Sequence, residues 1–200
     1  MHAAVAPTIA AQVEGGYYAG RILIGDRLFG IVVAPKAEGE LVDVKWHRNL
    51  KDVPAAASYN DGLANTEAMA AAGSPLAVKI RALKIGGLTD WYLGALDENE
   101  ICYRAFKPTT DQNSLWMRSG INLSADPPTY PYTRDLPAQT ENELFRAGGA
   151  EAFEPTYYWT SSQYASDSGG AWFQTFDSGG QRYYHKDGDV RARVLRRFAL

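Results

Sequence analysis

Cysteine is almost absent. Cys102 stands alone, so no disulfide can form within the chain, which suits a reducing compartment or a fold independent of oxidation. A basic excess is also missing. The 20 Lys and Arg against 23 Asp and Glu leave a formal charge of −3, which excludes the basic footprint of a nucleic-acid-binding domain. No apolar run approaches the roughly 18 residues that a membrane-spanning helix needs, so no membrane insertion is expected.

Catalytic and metal-binding patterns are equally scarce. The histidines are His2, His47 and His185; no two sit at a zinc-ligand spacing, and Cys102 has no partner nearby. Asp187-Gly188-Asp189, with Asp177 upstream, lacks the full calcium loop and its distal Glu. The glycine pairs at 148–149 and 169–170 do not lead into a helix as a phosphate-cradling loop does. Ser161-Ser162 has no elbow glycines around it. No catalytic residue, metal or cofactor is expected. Cys102 reads as a small buried hydrophobe. Arg191, Arg193, Arg196 and Arg197 read as partners of acids or carbonyls rather than as a phosphate patch.

What is present is an ordinary globular composition, 46% hydrophobic and 22% charged. A chain of 200 residues can bury roughly 70% of its unfolded surface without a covalent staple. The opening MHAAVAPTIAAQVEGG has neither a basic n-region nor a long apolar h-region. It is read as an exposed arm, residues 1–14, and not as a signal peptide. One domain, 15–200, follows.

The spacing of apolar and turn residues predicts a hairpin, with Tyr17–Ile24 and Arg27–Ala34 joined at Gly25-Asp26. Pro35–Glu40 reads as a loop and Leu41–Trp46 as a short strand. Ser58–Ala72 reads as a helix capped by Ser58 or Asn60 and stopped by Gly73. A second helix or turn is expected over Pro75–Leu83. Asp90–Leu93 is a short strand. Asp97 is the expected N-cap of Glu98–Phe106, with Glu100 completing a capping box. Residues 109–150 are polar and nearly aperiodic, apart from one helical turn within 141–147. The last third alternates strands (Thr156–Ser161, Ala171–Phe176, Gln181–His185, Val190–Phe198) with Gly/Asp/Ser turns.

Three segments taken together resemble a known family. They are Gly86-Gly87-Leu88-Thr89-Asp90-Trp91-Tyr92-Leu93 leading into Leu96-Asp97-Glu98; Tyr158-Trp159-Thr160-Ser161-Ser162; and Ala171-Trp172 with Phe176 and the closing Val190-Arg191-Ala192-Arg193-Val194. Their order resembles the C-type-lectin-like adhesin domain of phages, prophages and bacterial surface proteins (the Lcl C-terminal-like family). That family is related to phage tropism determinants and retroelement-diversified variable proteins. Gly94 stands where the family's motif usually has proline. The paired cysteines and the calcium-binding tripeptide of animal C-type lectins are absent, since Glu154-Pro155 is followed by Thr156. The resemblance implies an α+β, C-type-lectin-like fold: short antiparallel strands, two or three helices and long irregular loops. It also implies a non-enzymatic receptor-binding module.

From Tyr157 to Val190 about a quarter of the residues are aromatic, against 12% for the whole chain, and most others are Ser, Gly, Asp, Gln and Thr. Rigid aromatics among adaptable polar groups are the chemistry of a paratope-like surface. Placing Trp159, Trp172 and Phe176 inward, strand alternation, with proximity to those strands for the loop members, assigns a ligand surface of Tyr157, Gln163, Tyr164, Ser166, Asp167, Phe173, Thr175, Gln181, Tyr183 and His185. Tyr184 is the first replacement if the register is off by one. The expected partners are a host cell-surface receptor, glycan or protein, and other tail proteins of a virion. The chain is expected as a homo-oligomer, with a trimer favoured because avidity strengthens weak contacts. The alternative is a structural virion protein of capsid or baseplate, using the same fold for subunit contacts.

Overall fold

The chain enters its sheet at β1 (Gln12–Val13), which pairs antiparallel with β2 (Gly16–Ile24). β2 turns at Gly25-Asp26 and returns as β3 (Arg27–Val33). Gly25, at φ 62°, supplies the positive φ that a two-residue hairpin loop needs. The computed structural model describes residues 6–118 and 120–200, so residues 1–5 of the expected arm lie outside the described residues. Its last part, Gln12–Val13, lies in the sheet.

Pro35–Glu40, expected as a loop, holds a single helical turn, α1 (Lys36–Gly39). β4 (Glu40–Val44) follows. α2 (Gly62–Ala71) is capped by Asp61, whose carboxylate accepts the Ala64 N–H at 3.0 Å. Ser58, an expected cap, instead accepts the Asn60 and Asp61 N–H groups and fixes the turn before the helix. Ser74 caps α3 (Pro75–Arg81), with Pro75 in its first turn. β5 (Tyr92–Leu93) leads into α4 (Leu96–Phe106). Between α4 and the final strands the only regular element among the described residues is a 3-10 turn at Glu143–Phe145. The chain closes with β6 (Tyr157–Gln163), β7 (Gly170–Thr175), β8 (Gln181–His185) and β9 (Val190–Ala199).

The fold is mixed α+β, with nine strands and four helices among the described residues. Its hub is β9. Along its length it pairs with β4, β5 and β3 antiparallel and with β6 in parallel. The main order is β1-β2-β3-β9-β6-β7-β8. Alternation sends successive β9 side chains to opposite faces, and both faces are covered. Ala192 and Val194 join Trp46, Met69, Ile80, Trp91, Trp159 and Phe173 in one core. Leu195 joins Tyr92, Cys102, Phe106, Phe145, Tyr158 and Phe176 in the other.

The closing arginines hold this arrangement together as expected. Arg191 and Arg193 both reach Glu40, and Arg193 also reaches Glu151. Arg196 pairs with Asp90 and Glu14, and Arg197 with Asp61. Cys102 is buried, and burial pushes its thiol pKa well up, which keeps it unreactive.

Candidate functional site

β7 decides which of the expected ligand-surface residues are available. It lies between β6 and β8, and every one of its six residues is buried. One solvated face was expected, as in many antiparallel sheets; here a core or a loop covers each face. Phe173, assigned outward, is 6% exposed and sits opposite Trp159 in the first core, with the Tyr157 ring 4.8 Å away. Trp159 and Phe173 therefore share a face, and Trp172 points to the other. Thr175 is buried and accepts the Gly180 N–H. Gln163 is buried: its amide oxygen accepts from the Val53 N–H and from Lys186, and its amide nitrogen donates to Asp52. Gln181 is buried and donates to the Leu96 carbonyl. These four leave the exposed set. Tyr157, Ser166, Asp167, Tyr183 and His185 are exposed, and Tyr164 is half-buried. Tyr184 is exposed too, because β8 is an edge strand open on both faces from 182 to 185.

The exposed residues continue into a chain of stacked rings. Tyr183 lies flat on Tyr164, with centroids 4.0 Å apart and planes 6° apart. Tyr164 meets Trp172 edge-on at 5.1 Å, and Trp172 meets Tyr59 edge-on at 6.2 Å. The Arg118 guanidinium sits 4.6 Å from the Tyr59 ring centre, within cation–π range. Trp116, Met117, Arg182 and Tyr183 line a shallow cavity of about 290 Å³, and Trp116 is 73% exposed. Tyr59, Trp116, Met117 and Arg118 were not among the residues assigned from sequence. The apolar Leu115-Trp116-Met117 within a polar stretch was the signal for two of them.

Next to this ledge lies a set of unpaired polar groups. Among the described residues, four buried side-chain atoms have no hydrogen-bond partner in the protein: Arg118 Nη1, Trp172 Nε1, Gln174 Oε1 and Gln181 Oε1. Such an atom costs about 1–3 kcal/mol when nothing satisfies it. The sheet register gathers three of them. Trp172 pairs across the ladder with Tyr183, and Gln174 with Gln181, so all four of these side chains share one face. That face abuts the first turn of α4, where Gln181 donates to Leu96 and Arg118 pairs with Asp97 at 3.0 Å.

The remaining buried polar groups are engaged in structure. Lys186 donates to the Lys51 carbonyl and to Gln163, and stands 4.5 Å from the Trp46 ring. Burial lowers its pKa to about 8, opposed by Asp52 and Asp167. Ser161 accepts from Asn65, and Ser162 bridges Ser58 and Leu96. Neither faces a base. Among the described residues no group of three or more His, Cys, Asp or Glu side chains is placed to hold a metal ion, and no helix is long and apolar enough to cross a membrane. No protein-family model matches the chain, and no curated protein matches it.

Proposed function

We propose that the chain is a non-enzymatic receptor-binding module of C-type-lectin-like architecture, carried on a phage tail tip or tail fibre and directed at the host surface. The observation that carries this reading is the ledge of Tyr183 and Tyr164 beside the exposed Trp116. Aromatic anchors around a shallow, desolvated pocket are what binding hot spots are made of. The finer fold assignment is supported by chain order. An opening hairpin pairs with the last strand, helices follow, and a long irregular segment leads into β6, β7 and β8, which continue the sheet beyond β9.

Tyr183→Ala is expected to weaken binding of the purified protein to susceptible bacterial cells by about 1–3 kcal/mol and to leave its melting temperature unchanged. Saturable binding that survives Tyr183→Ala and Trp116→Ala together removes the ledge from the site. A wild-type protein that binds no cell type, and is found in virions with the ledge covered, overturns the receptor reading.

A second reading, a structural protein of capsid or baseplate, draws on the segment between α4 and β6. Leu123 and Tyr130 there are 76% and 80% exposed, and Leu115, Leu136 and Leu144 are exposed as well. Scattered single apolar residues are normal at a surface, but a concentration on one segment fits contact with another subunit. Under either reading the proposal is a homotrimer held through this segment. Light scattering is expected to give three chains per particle at micromolar concentration, and Leu123→Asp with Tyr130→Asp is expected to give monomers.

A further inference from the structure

We infer that the β7–β8 face beside Tyr183 is the polar floor of a metal-independent site for an uncharged polyhydroxylated ring, a pyranose unit of a larger glycan. This deepens the receptor reading and rests on it. The four unpaired groups supply two donors, Arg118 Nη1 and the Trp172 indole N–H, and two acceptors, the amide oxygens of Gln174 and Gln181. A ligand that satisfies all four must donate and accept within one small patch. Adjacent ring hydroxyls do so, because each is both donor and acceptor.

Charge points the same way. The one ionic group among the four, Arg118, is already paired with Asp97, so the floor itself offers an anion no uncompensated cation, and Arg182 lines only the adjoining cavity. The walls are aromatic: the Tyr183–Tyr164 stack on one side and Trp116 by the adjoining cavity. Such faces take the apolar C–H face of a sugar ring while its hydroxyls point to the floor. The cavity between Trp116 and Tyr183 is the way in, since Tyr183 is the cross-strand partner of Trp172 and stands two residues from Gln181 on the same face. The floor atoms are buried, so entry requires the half-exposed Tyr164 ring to turn off the edge of Trp172. Partly exposed side chains make such turns rapidly. No calcium takes part.

The test is an NMR titration of the full-length, ¹⁵N-labelled chain with glucose, galactose, mannose and N-acetylglucosamine, each taken to millimolar concentration. The Trp172 indole N–H signal is identified by its loss in Trp172→Phe. At least one sugar is expected to shift this signal saturably, and chelation is expected to leave the shift unchanged. Trp172→Phe, followed through backbone signals of β8, and Gln181→Met are each expected to weaken that sugar about tenfold, the equivalent of one hydrogen bond. Melting curves identify any variant that fails to fold; Gln174→Met then takes its place. If no sugar moves the signal, or bound water alone occupies the site, or both variants bind as wild type does, the inference is overturned. Cell binding judges the receptor reading separately. A protein that binds cells through Tyr183 yet ignores all four sugars keeps that reading and loses this site. A protein that binds a sugar but no cell keeps the site and loses the host-attachment role.

Discussion

Phe173→Ala is expected to remove about 3–5 kcal/mol of unfolding free energy, while Tyr183→Ala, ten positions on, removes almost none. The difference follows from the register. Phe173 and Trp159 are cross-strand partners on the face that meets the first core. Trp159 is fully buried and donates its indole N–H to the Val44 carbonyl. Tyr157 leans over Phe173 from the outer side. Deleting the Phe173 ring leaves a cavity with Trp159 on one side and Tyr157 on the other, and strands paired on both edges cannot close in to fill it. Tyr183 instead stands on the edge strand with 43% of its surface exposed. Trp172→Phe is the informative control. It keeps a ring on the opposite face and removes an indole N–H that has no protein partner, so its cost is expected to stay below about 1.5 kcal/mol. Urea unfolding with an unchanged slope measures all three. A Phe173→Ala protein within about 1 kcal/mol of wild type would mean that β7 is open on that face.

The strands and turns of the last third were legible because their signals are local. Gly/Asp/Ser turns bound β6 to β9 within two residues of where the sequence places them, and Gly25-Asp26 sets the opening hairpin. The faces of those strands were not legible, because covering a strand is a long-range event. Gln163 is satisfied by Val53 and Asp52, 110 and 111 residues away, and Gln181 by Leu96, 85 away. Nothing near β6 or β8 announces these partners, so proximity to the strand, for Gln163, and alternation, for Gln181, assigned both residues to solvent. The start of α4 shows the same limit on a smaller scale. Asp97-x-x-Glu100 has the form of a capping box, yet the helix begins two residues earlier, after Ala95. Glu98 reaches back to the Ala95 N–H at 2.7 Å, while Asp97 is taken by Arg118 and Ser124 and Glu100 by Arg104, Asn122 and Tyr132. Two overlapping patterns competed, and tertiary partners chose between them. The ledge was half legible. Tyr164 and Tyr183 came from composition, whereas Tyr59 and Arg118 join them only through the fold.

Glu98 gives the molecule a pH dependence opposite to that of most carboxylates. Its side chain is fully buried. One oxygen accepts the Gly62 and Ala95 N–H groups at 3.0 and 2.7 Å, and the other accepts the Tyr92 hydroxyl at 2.7 Å. It therefore ties the first turn of α2 to the first turn of α4. There is no room for more beside it, since a Cβ on Gly62 would run into the carboxylate. Burial raises its pKa from 4.5 to about 7, against the lowering effect of the Ala95 and Tyr92 hydrogen bonds and of Arg197. Burial also raises Asp97 and Glu100 on the same helix, in the same direction. Between about pH 4.5 and 7 the folded chain holds a proton on Glu98 that the unfolded chain has released. The folded state then binds more protons, so stability falls as pH rises through this window and levels off above it. At about 1.4 kcal/mol per pH unit of displacement, the contribution approaches ~3 kcal/mol. Glu98→Gln mimics the neutral acid: its amide oxygen can serve the two backbone N–H groups and its NH₂ can face Tyr92. Relative to wild type, Glu98→Gln is therefore expected to gain about 2–3 kcal/mol between about pH 5 and pH 7.5, read as the difference between two urea-unfolding series. Glu98→Ala, which strands all three donors, is expected to lose about 3–5 kcal/mol near pH 5, and less above pH 7, where the wild type has itself weakened. Parallel wild-type and Glu98→Gln profiles, or a wild type that gains on Glu98→Gln toward neutral pH, would show that Glu98 is ionised throughout and that its three donors outweigh burial.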